Sequence, residues 1–248
     1  MLRAFSLVYW VFVALTMPVF FVGALLIFLA TLAFDRRRVA LHLYSCFWAS
    51  FYIYANPLWR VRFEGRDRLP WHGPAVIVAN HLSLVDILVL YGLYRPFKWV
   101  SKAEIFRVPV VGWNMVINDY VKLTRGDRES IRSMMEHCRR HLARGSPVLI
   151  FPEGTRSQDG RLQAFKDGAF RLALDAKVPV IPIAIRGTHE TVPKHGLVLR
   201  QRMRGRVKVL EPIDPSGYAD VASLRLAARD AIARELGEPL STAAARPA

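Results

Sequence analysis

The chain has 248 residues, is 52% hydrophobic and carries a formal net charge of +15. Two cysteines, Cys46 and Cys138, build no disulfide framework and suit a reducing compartment, and the apolar content is high for a soluble domain and suggests a membrane segment. So large a charge asks for an anionic partner, and without zinc-ligand spacing or an aromatic RNA-binding signature anionic lipid or a phosphate-bearing substrate fits better than nucleic acid.

Phe5 to Phe34 is almost wholly apolar. About 20 such residues span a bilayer as a helix. Arg36, Arg37 and Arg38 follow directly and mark the cytoplasmic side. Arg3 precedes the run, as in a signal peptide, but the run is too long for one and ends in arginines. Val39 to Asn56 is a milder apolar segment with Tyr44, Phe47, Trp48, Phe51, Tyr52 and Tyr54. His42, Ser45 and Ser50 make it a poor span, so an interfacial or half-inserted helix is expected. Residues 1–58 thus read as membrane helices and 59–248 as a separate α/β domain.

In that domain, Val61 to Gly65 alternates as a strand does. Ala75-Val76-Ile77-Val78-Ala79, after Gly73-Pro74, reads as a buried strand. Ser83 is the expected N-cap of a helix from Leu84 to Tyr91. Short strands are expected at Phe97 to Val100 and Tyr120 to Leu123. Asp127 caps a helix with the apolar stripe Ile131, Met134, Met135, Cys138 and Leu142. On that helix His137 and His141 lie one turn apart, which suits a metal, but no third ligand is evident. A strand at 147–151, a helix from Lys166 to Ala176, a strand from Val180 to Ile185 and a helix from Ala222 to Leu236 follow. Arg200, Arg202, Arg204, Arg206 and Lys208 fall on one side of an extended segment. That segment is either a charged edge strand or a contact for anionic headgroups or donor phosphates. The tail from Glu238 carries no folding signal. The expected fold is α/β, a mixed, largely parallel sheet flanked by helices, behind an N-terminal membrane-embedded helical segment.

Two stretches carry chemistry, and both come after apolar strands. In Asn80-His81-Leu82-Ser83-Leu84-Val85-Asp86 a histidine precedes an aspartate by five residues. An imidazole takes a proton from an alcohol near neutral pH, and a carboxylate fixes its tautomer. Alone, this spacing fits a turn cap equally well. The second stretch is Phe151-Pro152-Glu153-Gly154-Thr155-Arg156-Ser157. In this order and about 70 residues apart, the two stretches resemble the glycerolipid acyltransferase family, most closely the 1-acylglycerol-3-phosphate acyltransferases. Phe165-Lys166-Asp167-Gly168-Ala169 and Val178-Pro179-Val180-Ile181-Pro182-Ile183 fit the same pattern. Val121 to Gly126 keeps the family's arginine, Arg125, but has Thr124 where an acid is usual, which leaves the acceptor open.

The resemblance implies transfer of a fatty acyl group from acyl-CoA or acyl carrier protein to the hydroxyl of 1-acyl-glycerol-3-phosphate, giving phosphatidic acid. His81 is the expected general base and Asp86 its orienting partner. Arg125, Glu153, Gly154, Thr155, Arg156 and Pro182 are the expected substrate-binding residues. The arginines suit a phosphate, and Glu153 is expected to orient Arg156 or to meet the acceptor's polar part. A thiolate leaves readily, so no metal or cofactor is expected beyond the thioester. The expected partners are membrane lipids and the lysophospholipid. The expected location is a membrane with the catalytic domain on its cytoplasmic face. Two alternatives are an acyltransferase for another lysolipid, such as a lyso-aminolipid, and a non-catalytic basic membrane-surface protein. The second needs neither His81 nor Glu-Gly-Thr-Arg.

Overall fold

In the computed structural model, residues 2–189, 191, 192, 198, 199 and 202–241 are described. Two helices come first, α1 (Leu2–Thr31) and α2 (Val39–Ala55). The strands are β1 (Trp59–Glu64), β2 (Val76–Ala79), β3 (Lys98–Lys102), β4 (Val121–Leu123), β5 (Val148–Ile150), β6 (Val180–Arg186) and β7 (Met203–Val209). The remaining helices are α3 (Val85–Tyr91), α4 (Val111–Ile117), α5 (Arg128–Ala143), α6 (Gly168–Ala176) and α7 (Val221–Leu236). Among the described residues the strands form one sheet in the order β1-β7-β6-β2-β5-β3-β4.

The central strands β6, β2, β5, β3 and β4 run parallel, and of the strands among the described residues only β6 and β7 pair antiparallel. A parallel sheet is covered on both faces, which is why its strands read as unbroken apolar runs. Alternate residues of β2 serve opposite layers. Ile77 and Ala79 join the core beneath α1, α2, α3 and α4, while Val76 and Val78 join the core beneath α5, α6 and α7. This parallel arrangement brings the C-terminal ends of β2, β5, β3 and β4 to one edge. Such an edge is where open α/β sheets bind ligands.

The N-terminal helices differ in how they use their apolar surface. α1 buries only a narrow stripe, with Ser6, Tyr9, Val13 and Ala24 inside. Leu7, Val8, Leu15, Val19, Val22, Leu26 and Leu29 face outward. It is the one helix among the described residues long and apolar enough to cross a membrane. α2 turns its polar residues inward. His42 bonds Tyr120 Oη at 2.8 Å and the Arg95 carbonyl at 3.0 Å, and Ser45 Oγ accepts the Asn114 and Asn118 amides, both at 3.2 Å. Two of the residues that make it a poor span, His42 and Ser45, thus bond the domain behind it, while the buried Ser50 hydroxyl has no hydrogen-bond partner among the described residues.

Two local expectations change. Ser83 does not cap α3; its hydroxyl accepts the Val85 N–H only at 3.4 Å, and the preceding turn is held by the Asp86 carboxylate. Of the basic alternation, Arg204, Arg206 and Lys208 lie on β7 and Arg202 just before it; β7 has β1 on one side and β6 on the other and so is no edge strand. Arg206 is paired with Glu64, and Lys208 with Glu235, each at 2.7 Å. Arg200 lies outside the described residues.

Candidate active site

β2 ends at Ala79, and Asn80 anchors the turn beyond it. Its side-chain amide donates to the Ile185 carbonyl at 2.9 Å and accepts the Ile185 N–H at 2.7 Å, which ties the end of β2 to β6. His81 comes next, with Nδ1 at 2.9 Å from Asp86 Oδ2. The same oxygen accepts the backbone N–H groups of Leu82 at 2.6 Å and Ser83 at 2.7 Å. Asp86 is fully buried, and its one oxygen closes the turn and holds the ring together. A carboxylate on Nδ1 leaves Nε2 as the basic nitrogen. The Phe151 ring stacks on the imidazole, with centroids 4.0 Å apart and planes 12° apart.

The loop after β5 grips the His81 backbone from both sides. Glu153 Oε1 accepts the His81 N–H at 2.8 Å, and the Ser157 N–H donates to the His81 carbonyl at 2.8 Å. Glu153 Oε2 accepts the Gln163 N–H at 3.3 Å. Glu153 is therefore spent on the backbone and makes no ion pair with Arg156. Burial pushes its carboxyl up to about 7, against the two N–H bonds and with a smaller push from Asp86. Gly154 sits at φ 72°, where a side chain is strained, and a Cβ there would meet the Lys166 chain at 3.0 Å.

A cavity of about 610 Å³ opens at this edge. His81, Phe151, Gly154, Thr155 and Arg156 line it, together with Lys102 at the end of β3 and Arg125 just after β4. Its remaining wall is largely apolar and includes Tyr9, Val13 and Met17 of α1 and Trp48, Ala49 and Tyr52 of α2. A polar mouth with cations and a proton acceptor thus leads into an apolar chamber roofed by the N-terminal helices. Such a site takes a long apolar chain with an anionic head beside it.

Seven of the eight expected site residues sit at this edge. His81, Arg125, Gly154, Thr155 and Arg156 line the cavity, while Asp86 and Glu153 support His81 from behind. Pro182 does not reach it. Pro182 lies within β6 opposite Val78, and its carbonyl accepts the Leu210 N–H at 2.9 Å. Its neighbours Ile181 and Ile183 face the core on the cavity side, so strand alternation turns Pro182 away. Sequence reasoning missed Lys102, Phe151 and the contribution of α1 and α2. Phe151 opens the Phe-Pro-Glu-Gly-Thr-Arg stretch, but no sequence pattern tells that its ring lies on His81.

The Acyltransferase family model matches residues 60–186. The 1-acyl-sn-glycerol-3-phosphate acyltransferase of Chlamydomonas reinhardtii is 39% identical over 237 residues, 95% of this chain and 70% of that protein. The chloroplastic 1-acyl-sn-glycerol-3-phosphate acyltransferase LPAT1 of Arabidopsis thaliana is 41% identical over 192 residues, 77% of this chain and 53% of that protein, so the chain spans about half its length. The crystal structure of the 1-acyl-sn-glycerophosphate acyltransferase PlsC from Thermotoga maritima is similar with a TM-score of 0.75 and 27% identity, over 98% of this chain and 100% of that one.

Proposed function

The chain belongs to the Acyltransferase family, and from that premise we propose that it transfers a fatty acyl group from a thioester to the free hydroxyl of 1-acyl-sn-glycerol-3-phosphate, giving phosphatidic acid. The observation that carries this reading is the pairing of a carboxylate-held imidazole with an apolar chamber and three basic side chains in one cavity.

The step needs only groups at the cavity. Nε2 of His81 takes the proton of the acceptor hydroxyl as its oxygen attacks the thioester carbonyl carbon. The tetrahedral oxyanion collapses, the carbon–sulfur bond breaks, and the proton on His81 passes to the departing thiolate. Asp86 stabilises the imidazolium between the two transfers. Arg125, Arg156 and Lys102 hold the acceptor's phosphate, where planar guanidinium groups bond two oxygens at once. Glu153 positions His81 through its backbone. Thr155 lies at the cation-lined mouth, and the left-handed turn at Gly154 lets the loop bend around it. The acyl chain enters the chamber under α1 and α2. The donor is acyl-CoA or acyl carrier protein.

The outward apolar face of α1 supports membrane attachment. From Ser6 to Phe21 this helix lies against the domain: Ser6 Oγ accepts the Leu199 N–H at 2.9 Å, and Phe21 meets Trp113 with centroids 5.6 Å apart. A full crossing would carry polar domain surface into hydrocarbon. The helix pair therefore inserts into one leaflet, with the domain on the cytoplasmic face as Arg36 to Arg38 indicate. Protease added to inside-out vesicles should digest the domain, and its protection there would reverse the orientation. Transfer of labelled acyl groups to a panel of lysolipids by the purified chain tests the activity itself. A preference for an uncharged or amino-bearing acceptor would favour the lyso-aminolipid alternative, which Thr124 motivates.

A further inference from the structure

The opposite edge of the sheet carries a second cluster that acyl transfer does not use. His137 and His141 stand one turn apart on α5, so both rings leave the same helix face. The sequence offers no neighbouring third ligand, but the fold supplies Asp119, 18 residues before His137. Asp119 lies between the end of α4 and the start of β4. Its backbone has φ 58°, a left-handed conformation that aspartate tolerates better than most residues, and the turn it makes delivers its carboxylate to α5.

The three side chains lie close enough to close on one ion. Asp119 Oδ1 lies 3.1 Å from His137 Nε2, and Oδ2 lies 3.7 Å from His141 Nε2. One ligand atom from each residue falls within 4.8 Å of the others. Zinc sits about 2.0–2.1 Å from such ligands in a tetrahedral shell, which sets neighbouring ligand atoms roughly 3.4 Å apart. The rings stack with centroids 4.6 Å apart, so the two histidines are already aligned. His141 is almost wholly buried, while His137 and Asp119 also line a separate cavity of about 300 Å³ with Ser133 and Lys122. The nearby ammonium of Lys98 donates to the Asn118 carbonyl at 2.6 Å.

We propose that Asp119, His137 and His141 form a binding site for a divalent zinc-class cation, with a fourth position open to the adjoining cavity. Without metal, His141 Nε2 bonds the Asp119 carbonyl at 2.9 Å and the cluster is a plain hydrogen-bonded tie. Binding moves that ring to its Nδ1–H tautomer and replaces the tie with metal bonds. The site sits before β4 begins, whereas Arg125 comes after the end of that strand. The cation therefore braces β4 against α5 and does not touch the acyl-transfer cavity. This inference does not rest on the proposed reaction.

The test uses the untagged full chain in detergent micelles, stripped with chelator, at neutral pH. Zinc titrated against a chromophoric chelator should bind at one equivalent, and cobalt should give the visible absorption of a four-coordinate site. Asp119→Asn keeps the left-handed turn and His137→Gln keeps a polar chain. Each should weaken binding at least tenfold, while His72→Ala leaves it unchanged. In the wild-type chain zinc should protect His137, but not His72, from diethyl pyrocarbonate, a readout that needs no variant to fold. Absence of a stoichiometric equivalent, an equivalent that survives in the Asp119→Asn/His137→Gln double variant, or unprotected His137 overturns the site.

Discussion

The carboxylate of Glu153 accepts the main-chain N–H of His81 at 2.8 Å, across 72 residues of chain. With Ser157 returning a bond to the His81 carbonyl, the loop after β5 fixes where the imidazole stands. The acid of the Glu-Gly-Thr-Arg stretch is thus a positioning group for the histidine, and the expected contact with Arg156 is not made.

Glu153→Gln tests that role. An amide has one acceptor oxygen, so its NH₂ would oppose the Gln163 N–H that the carboxylate now accepts. Turnover should fall at least tenfold with the Michaelis constants little changed. Stability gives a second readout, because burial holds the Glu153 carboxyl at about 7 against an ordinary 4.5. The folded chain keeps a proton there that the unfolded chain has lost. Stability from this group is full below about pH 4.5 and is lost as pH rises to about 7. Denaturation of both proteins from pH 4.5 to 8 should show the wild type losing ground to the variant, by up to about 1.4 kcal/mol per pH unit. Parallel profiles would remove Glu153 as the cause.

Asp86→Asn should cost both activity and stability. One buried oxygen of Asp86 takes three hydrogens, from His81 Nδ1, Leu82 N and Ser83 N. An amide offers these hydrogens a neutral oxygen or, turned over, its NH₂, so the imidazolium loses its counter-charge and the imidazole its fixed tautomer. We expect kcat to fall by about 10²- to 10⁴-fold and stability by about 1–3 kcal/mol. A kcat within twofold of wild type would show that the imidazole needs no carboxylate.

Much of the site is legible in the sequence. Gly73-Pro74 before Ala75 to Ala79, and Pro147 before Val148, mark the strands whose ends carry His81 and Glu153, because buried parallel strands are short β-branched runs. Asp127 is legible as a cap, and it accepts the Glu129 N–H at 2.9 Å. The hidden features depend on neighbours far away in the chain. The charge pattern of β7 is the same on an edge or an inner strand, so only the pairing with β1 tells them apart. Pro182 is carried by a recognisable stretch, yet which face of β6 it takes is a matter of register. Asp119 and His137 meet only because a left-handed turn reverses the chain between α4 and β4.

Arg156→Lys keeps the charge and loses the planar fork. It should raise the Michaelis constant for lysophosphatidic acid by about tenfold and leave that for the acyl donor within twofold. Arg156→Ala should lower kcat/KM further, because a misplaced hydroxyl rarely meets the thioester. Equal effects on both substrates would assign the residue a structural role.

Ala49→Phe probes the chamber. Ala49 is 5% exposed, sits on α2 and forms part of the cavity wall. A ring there takes up chamber volume. Long-chain donors should lose roughly tenfold or more in kcat/KM relative to short-chain donors, measured in competition. An unchanged preference would place the acyl chain elsewhere.

The most direct measurement is acyl transfer by the purified chain and by His81→Ala, using lysophosphatidic acid with labelled acyl-CoA and with labelled acyl carrier protein. The wild type should form phosphatidic acid with at least one donor, and His81→Ala should be slower by about 10²-fold or more while its circular dichroism and melting temperature stay close to wild type. No label should remain on the protein, since Ser83 is buried and is absent from the cavity wall. Near wild-type turnover in His81→Ala, or acyl label trapped on Ser83, would contradict the account.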